Sequence, residues 1–139
     1  MIILDTNVIS ALIKDEPDPV IQHWLDRLPE LSIWTTTISI FEIRYGLAIM
    51  PSGRRQSQML AGFERAIEEK LARRILLFDF VAAEQAASLM ATRKIAGRPI
   101  DLRDTMIAGI VLAQRATLAT RNVRHFADLD VAVVDPWTS

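Results

Sequence analysis

Short apolar segments alternate with longer segments of helical periodicity along this chain. The apolar segments are Ile2–Leu4, Ile33–Thr35, Ile75–Phe78, Thr117–Ala119 and Val131–Val134. Each is brief and almost uniformly apolar, as expected for strands that are buried on both faces of a parallel sheet. Strands that alternate with helices are typical of an α/β domain. We therefore predict a short, mainly parallel sheet of four or five strands.

Six segments between these strands have the spacing of helices. They are Thr6–Ile13, Pro19–Leu28, Thr37–Met50, Arg54–Arg74, Val81–Ala96 and Leu102–Arg115. Thr37–Met50 is apolar almost all round, which predicts a buried helix. Arg54–Arg74 is amphipathic, and its apolar stripe either covers the protein's own core or forms a docking face for a partner.

Composition narrows the classes of protein that fit this pattern. The chain has 139 residues, of which 50% are hydrophobic and 24% charged, and this predicts one folded domain over residues 1–139. A formal charge of −1 provides no overall positive field, so any contact with nucleic acid must be local. The absence of cysteine excludes a disulfide framework and a thiolate metal site, and leads us to expect a cytoplasmic protein. No apolar run approaches the ~18 residues of a membrane span, and Ile2–Leu4 is too short for a signal peptide.

The usual nucleophile and nucleotide-binding motifs are missing. His23 and His125 lie in separate segments, and both are interpreted as solvated surface histidines. The five glycines are scattered, so there is no phosphate-binding loop. Any chemistry must therefore come from carboxylates.

Three acidic residues are candidates for that chemistry. Asp5 directly follows the first strand, at the edge where open α/β sheets bind ligands, although it could equally cap the next helix, as could Asn7. Glu42 interrupts an apolar helix, and a carboxylate there needs either a metal or an arginine partner. Asp104 lies in the first turn of Leu102–Arg115, where Asp101 is the predicted N-cap.

Polar residues with oxygen donors accompany these acids. Thr120 and Asn122 follow the Thr117–Ala119 strand, although the same residues could form an ordinary polar turn. Oxygen ligands suit Mg²⁺ or Mn²⁺ rather than zinc or copper. Such a metal typically takes one or two carboxylates together with waters and substrate phosphate oxygens, and it can promote displacement at phosphorus.

Four segments in order resemble the signature blocks of the PIN-domain ribonucleases, and in particular the VapC and FitB-like toxins of type II toxin–antitoxin pairs. The segments are Ile2–Val8, Ser39–Gly46, Arg98–Ala108 and Ala119–Val123. The resemblance extends along the whole chain, including Val131–Trp137. It implies a three-layer α/β/α sandwich and a Mg²⁺- or Mn²⁺-dependent endoribonuclease.

The resemblance also implies roles for individual residues. Asp5, Glu42 and Asp104 would form the catalytic acidic cluster, with Asp5 and Asp104 as the direct metal ligands. Thr6, Asn7, Thr120 and Asn122 would be supporting polar groups. Ile49 and the Arg54–Arg74 helix would lie in the region where family members form homodimers and bind the antitoxin, itself a DNA-binding protein.

One departure from the family pattern concerns the fourth acid. Some relatives carry an acid at the position of Asn122 and others at the position of His125, whereas neither is acidic here. We therefore expect one tightly bound ion, with any second ion recruited by substrate phosphate. Five basic residues near the last two blocks could bind the RNA backbone, or could simply form a solvated face. They are Lys94, Arg98, Arg103, Arg121 and Arg124.

Two further functions remain open at this stage. The chain could be a weakly active or inactive binding module that acts with a DNA-binding antitoxin in promoter regulation, which the missing fourth acid favours. Three converging carboxylates that repel one another argue against a pure scaffold. A phosphatase with Asp5 as nucleophile is a weaker fit, because Asn7 occupies the place of the second aspartate that this chemistry usually needs.

Overall fold

Five short strands form a single, entirely parallel sheet in the computed structural model, which describes residues 1–139. The strands are β1 (Ile2–Leu4), β2 (Ile33–Thr36), β3 (Ile75–Leu76), β4 (Thr117–Ala119) and β5 (Val133–Val134). Their order in the sheet is β3-β2-β1-β4-β5. β1 is central, with Ile3 paired to Trp34 on one side and to Leu118 on the other. The predicted parallel sheet is confirmed, although β3 and β5 are shorter than predicted.

Six α-helices connect and cover these strands. They are α1 (Thr6–Ile13), α2 (Pro19–Asp26), α3 (Thr37–Ala48), α4 (Arg54–Arg65), α5 (Phe80–Ile95) and α6 (Leu102–Gln114). Short 3-10 turns occupy Glu30–Ser32 and Val123–Phe126. None of the helices is both long enough and apolar enough to cross a membrane.

The fourth helix differs from the unbroken segment Arg54–Arg74 predicted from the sequence. After α4 the chain widens into one π-helical stretch, Ala66–Lys70. Ala72 and Arg73 then adopt left-handed backbone angles, with φ of 43° and 57°, which end the helix before β3. The apolar stripe packs inward, since Phe63, Ala66 and Leu71 are buried. This helix therefore covers the protein's own core.

The sheet separates two hydrophobic cores, as expected of a three-layer sandwich. Side chains alternate along a strand, so Leu4 packs into one core with α1 to α4, while Ile3 packs into the other with α6. The second core also contains Phe126, which is fully buried. Burial of both sheet faces explains why the strands contain no charged residues.

The third helix is not buried on all sides, contrary to the prediction. Ser39, Ile43 and Leu47 face inward, whereas Phe41 and Tyr45 are each more than half exposed. Ile49, immediately after the helix, is 66% exposed. An outer-layer helix can bury only one face against its own domain, and apolar composition does not reveal which face that is.

The strand order places a natural crevice at the carboxyl end of β1. The chain leaves β1 toward β2 on one side, while β4 pairs on the opposite side. Open α/β sheets bind ligands at such a switch point, because the following loops diverge there. Asp5 follows β1 and Thr120 follows β4, so both begin at this crevice.

Candidate active site

Asp5 is buried at the switch point and accepts several hydrogen bonds. Its Oδ1 accepts from the Thr6 backbone N–H at 2.8 Å, and its Oδ2 accepts from the Thr120 hydroxyl at 2.7 Å. The Asn7 amide also donates to Oδ2, at 3.2 Å. Asp5 is the N-cap of α1, as one reading of the sequence proposed. Capping uses one carboxylate oxygen and does not prevent a chemical role for the other.

Burial raises the pKa of the Asp5 carboxyl from 3.8 to about 6. The hydrogen bonds from Thr120 and Thr6 oppose this rise, because they stabilise the charged form. Repulsion from Asp104 and Glu42 raises the pKa further. The three acids are therefore close enough to interact, and the site has an excess of negative charge that a cation would relieve.

Glu42 reaches the same region from the third helix. The Thr6 hydroxyl donates to its Oε1 at 2.7 Å and lies 3.0 Å from the buried Ser39 hydroxyl. The helix places Ser39 and Glu42 on one face, because they are three residues apart. The arginine partner considered from the sequence is also present, since Arg103 Nη1 lies 3.7 Å from Glu42 Oε2. This ion pair is longer than a hydrogen bond, and the Arg103 side chain is 47% exposed.

Asp104 lies in the first turn of α6 and contacts a histidine. The side chain of Asp101 accepts from the backbone N–H groups of Arg103 and Asp104, which confirms Asp101 as the N-cap. The Asp104 Oδ2 atom lies 2.8 Å from His125 Nδ1, within hydrogen-bond distance. His125 is half exposed, as predicted, but it is not an isolated surface histidine. No local sequence pattern predicts this contact, because the two residues are 21 positions apart.

The remaining polar candidates link the ends of the first and fourth strands. The side-chain Nδ2 of Asn7 donates to Thr120 Oγ1 at 3.3 Å, and the side-chain Oδ1 of Asn7 accepts from the Arg121 backbone N–H at 3.1 Å. The Asn122 N–H donates to Thr120 Oγ1 at 3.0 Å. Thr6, Asn7 and Thr120 therefore fix the positions of the Asp5 and Glu42 carboxylates. Asn122 contributes its backbone to this network.

One open cavity of about 450 Å³ brings these residues together. Acidic, cationic and aromatic side chains all contribute to its lining. The lining residues include Asp5, Thr6, Asn7, Glu42, Asp104, Asn122, Lys14, Asp18, Arg121 and Trp137. Three of these lining residues were not predicted from the sequence, namely Lys14, Asp18 and Trp137. They come from the α1–α2 turn and the C-terminal segment, which carry no motif that would reveal them.

The donor set fits a hard divalent cation, although the side chains do not form a ready-made metal site. No group of three or more acidic or histidine side chains is placed so as to hold a metal ion. Each carboxylate is instead occupied by its own neighbours, and Asp104 in particular by His125. Mg²⁺ needs only one or two protein carboxylates, because it retains several waters. Asp5 and Asp104 supply that number.

The predicted RNA-binding residues have different surroundings. Of the five, only Arg121 lines the cavity. Arg103 faces Glu42 and Asp101, at 3.7 and 3.6 Å. Arg98 is exposed and lies outside the cavity walls, and Arg124 borders a separate apolar groove.

A buried arginine contacts the residues next to the Asp104–His125 pair. Arg93 is 3% exposed and forms a two-pronged ion pair with Asp128, with N–O distances of 2.8 and 2.9 Å. It also donates to the Thr105 hydroxyl and to the backbone carbonyl of His125. Arg93 therefore ties α5 to the residue that follows Asp104 and to the segment that carries its histidine partner.

The fold and this arrangement of carboxylates define an α/β/α domain with an acidic site at the carboxyl edge of its sheet. Comparison with protein families identifies the class. The model of the PIN domain matches residues 2–132, and the chain belongs to that family. The resemblance seen in the four sequence segments is thereby confirmed.

Individual relatives are similar over nearly the whole chain. The chain is 37% identical to VapC ribonuclease Y4jK of Sinorhizobium fredii, over 99% of this chain and 98% of that protein. It is 34% identical to toxin FitB of Neisseria gonorrhoeae, over 99% of both chains. Among solved structures, FitAB bound to a DNA fragment superimposes with a TM-score of 0.86 at 34% identity, covering 99% of this chain and 96% of the other.

Proposed function

We propose that this protein is the endoribonuclease toxin of a toxin–antitoxin pair, which hydrolyses RNA phosphodiester bonds. The observation that carries the proposal is the convergence of Asp5, Glu42 and Asp104 on one cavity at the switch point of a PIN-domain sheet. These residues come from three distant parts of the chain. Relatives that cover the full length and are named as a ribonuclease and a toxin support the same function.

We further propose that Asp5 and Asp104 hold Mg²⁺ or Mn²⁺. When bound, such an ion polarises a phosphate oxygen and lowers the pKa of a coordinated water. Asp5 is held in place by Thr120 and the Thr6 N–H, so its orientation is set before substrate arrives. Asp104 contacts His125 through Oδ2 alone, so its Oδ1 is available to the ion.

Glu42 is assigned the proton transfer. Its Oε1 is held by the Thr6 hydroxyl, while its Oε2 has only the long contact to Arg103. Oε2 is therefore available to orient a water and accept its proton. The water oxygen bonds to phosphorus, the bond from phosphorus to the 3′ oxygen breaks, and the products are a 3′-hydroxyl and a 5′-phosphate. The leaving 3′ oxygen takes its proton from solvent.

Binding of the RNA backbone is assigned first to Arg121, because it lines the cavity. Arg98 lies further out, where it can contact RNA only beyond the cavity, and it stays a candidate at that position. Replacement of either residue by Ala tests these assignments. Loss of a phosphate contact weakens RNA binding and reduces its dependence on salt.

We propose two protein partners, an antitoxin and a second copy of the chain. The superimposed FitAB complex supports the antitoxin. The exposed apolar face of α3 supports self-association, since the stacked rings of Phe41 and Tyr45 have centroids 6.4 Å apart and lie open to solvent. Phe41→Arg is expected to convert a dimer into a monomer in light scattering. A wild-type monomer at micromolar concentration would contradict self-association.

The decisive experiment is cleavage of a mixed pool of single-stranded and structured RNA with Mg²⁺, Mn²⁺ or EDTA. Asp5→Asn is compared with Asp130→Asn, which makes the same substitution at an exposed residue outside the cavity. Cleavage that needs metal, survives Asp130→Asn and disappears in Asp5→Asn supports the proposal. No cleavage by the folded wild type would instead favour the alternative, a PIN-fold module that acts through its antitoxin on DNA.

A further inference from the structure

The lining of the cavity includes an arginine and a tryptophan that the proposed hydrolysis step does not use. The Arg121 guanidinium carbon lies 3.8 Å from the centroid of the Trp137 ring. Both side chains line the same cavity as Asp5, Glu42 and Asp104. Arg121 directly follows Thr120, and its backbone N–H donates to Asn7 Oδ1. The Arg121–Trp137 pair is therefore connected to the hydrogen-bond network around Asp5.

The indole ring is fixed in position from two directions. Its Nε1–H donates to Asp18 Oδ2 at 2.9 Å, and the Trp137 backbone N–H donates to Asp135 Oδ1 at 2.9 Å. The first of these bonds connects the C-terminal segment to the turn before α2. An aromatic side chain held in this way forms a rigid surface, and binding to it costs little conformational entropy.

Arg121 itself has no acidic partner. The other arginines near the site are neutralised, Arg103 by Glu42 and Asp101 and Arg93 by Asp128. No carboxylate lies within ion-pair distance of Arg121, and the residue is exposed. Its charge is thus positioned by an aromatic ring and is free to pair with an anion.

From this geometry we propose that Arg121 and Trp137 form a subsite for an unpaired nucleotide of the RNA, next to the phosphate that is cleaved. This inference rests on the proposed function and specifies its substrate class. The guanidinium donates to a backbone phosphate, while the base stacks on the arginine and tryptophan pair. Aromatic rings and guanidinium groups are the usual stacking partners of unstacked bases in RNA recognition.

The subsite selects single-stranded or looped RNA. A base within a duplex is already stacked and paired, so it cannot stack on the Arg121–Trp137 pair unless the duplex opens, which costs free energy. Lys14, which lines the same cavity, supplies one further positive charge for the strand. Recognition by stacking tolerates different bases, so the subsite favours unpaired structure over a particular sequence.

The test is equilibrium binding of a fluorescein-labelled, mixed-sequence RNA of about 20 nucleotides in EDTA, single-stranded and as a duplex. Trp137→Leu and Arg121→Ala are each expected to weaken single-strand binding roughly tenfold, with a much smaller effect on the duplex. Arg121→Lys separates the two contributions, since it retains the charge and loses the planar group. We expect it to weaken binding while preserving the salt dependence, which Arg121→Ala reduces by about one phosphate contact.

Two further variants make the result specific. Arg55→Ala removes one exposed positive charge outside the cavity and serves as the matched control. Trp137→Phe keeps an aromatic ring, so it is expected to retain most of the affinity lost in Trp137→Leu. It also removes the indole, and single-stranded RNA should therefore quench the tryptophan emission of the wild type more strongly than that of Trp137→Phe.

Unchanged single-strand affinity in both Trp137→Leu and Arg121→Ala would overturn the subsite. If Trp137→Leu fails to fold by circular dichroism, the Arg121 variants and the quenching measurement decide the matter. The assay is independent of catalysis, so failure of the subsite is distinguishable from failure of the proposed function. A wild type that cleaves RNA while these variants bind normally refutes only the subsite, whereas a wild type that neither binds nor cleaves RNA refutes both.

Discussion

The raised pKa of Asp5 makes the free energy of unfolding of this protein depend on pH. The carboxyl is 2% exposed, and its pKa is raised to about 6 by burial, in spite of hydrogen bonds from Thr120 and Thr6. Because the folded state binds this proton more tightly than the unfolded chain, ionisation of Asp5 destabilises the fold. The stabilisation is present below pH 3.8 and is lost as the pH rises through about 6.

The size of the effect follows from that pKa difference. A change from 3.8 to about 6 corresponds to roughly 3 kcal/mol of unfolding free energy between full protonation and full ionisation. About half of this, ~1.4 kcal/mol, is lost between about pH 5 and pH 8. Asp5→Asn removes the ionisable group, so the unfolding free energy of this variant should not show this decrease with rising pH. The asparagine has one acceptor oxygen instead of two, so its hydrogen bonds add an offset that does not depend on pH.

The measurement is urea unfolding of wild type and Asp5→Asn at a series of pH values in EDTA. The expected result is that the stability of Asp5→Asn relative to wild type increases by about 1.4 kcal/mol from about pH 5 to pH 8. The stabilised variant should also have no RNA cleavage. Addition of Mg²⁺ should stabilise the wild type and not the variant, since a cation offsets the repulsion.

The comparison uses the change with pH, because the titration of groups remote from Asp5 is common to both proteins and cancels in the difference. A stability difference that is constant across this pH range would refute the reasoning, since it would show that the pKa of Asp5 is not raised in the folded state.

Three other substitutions test separate features. Thr120→Val removes the hydrogen bond that lowers the pKa of Asp5, so this pKa, followed by NMR titration, should rise above about 6. Asp128→Asn leaves the buried Arg93 without its ion-pair partner and should cost about 3 kcal/mol in chemical denaturation. Gly109→Ala places a Cβ 2.5 Å from a backbone oxygen of α5, forces the two helices apart and should cost about 1 to 3 kcal/mol in the same assay.

Each of these variants has a control or an opposing outcome. Gly46→Ala is the control for Gly109→Ala, because no atom lies within 4 Å of its added Cβ. It should stabilise the third helix by about 0.5 to 1 kcal/mol through helix propensity alone. Equal effects of the two glycine substitutions would refute the packing argument. An unchanged unfolding midpoint in Asp128→Asn would show that Thr105 and the His125 carbonyl satisfy Arg93 without the carboxylate. An unchanged Asp5 pKa in Thr120→Val would show that the Thr120 hydroxyl does not lower that pKa.

The sequence determined the class of fold and the acidic candidates. Apolar strands that alternate with helices specify a parallel sheet, because only strands covered on both faces lack polar positions. The same pattern located Asp5 and Thr120 directly after strands, where neighbouring parallel strands bring them to one edge. Helix ends were also readable, since the Asp101 cap depends only on local backbone hydrogen bonds.

Tertiary structure alone decided what the site residues touch and which apolar faces stay open. The contacts between Asp104 and His125 and between Arg121 and Trp137 join distant segments, and no local periodicity encodes them. The raised pKa of Asp5 likewise depends on burial by the whole fold. The third helix has the same apolar composition whether Phe41 is covered or exposed, and the packing of the surrounding layers makes that choice. Local patterns determine which elements form, whereas long-range packing determines the partners of each side chain.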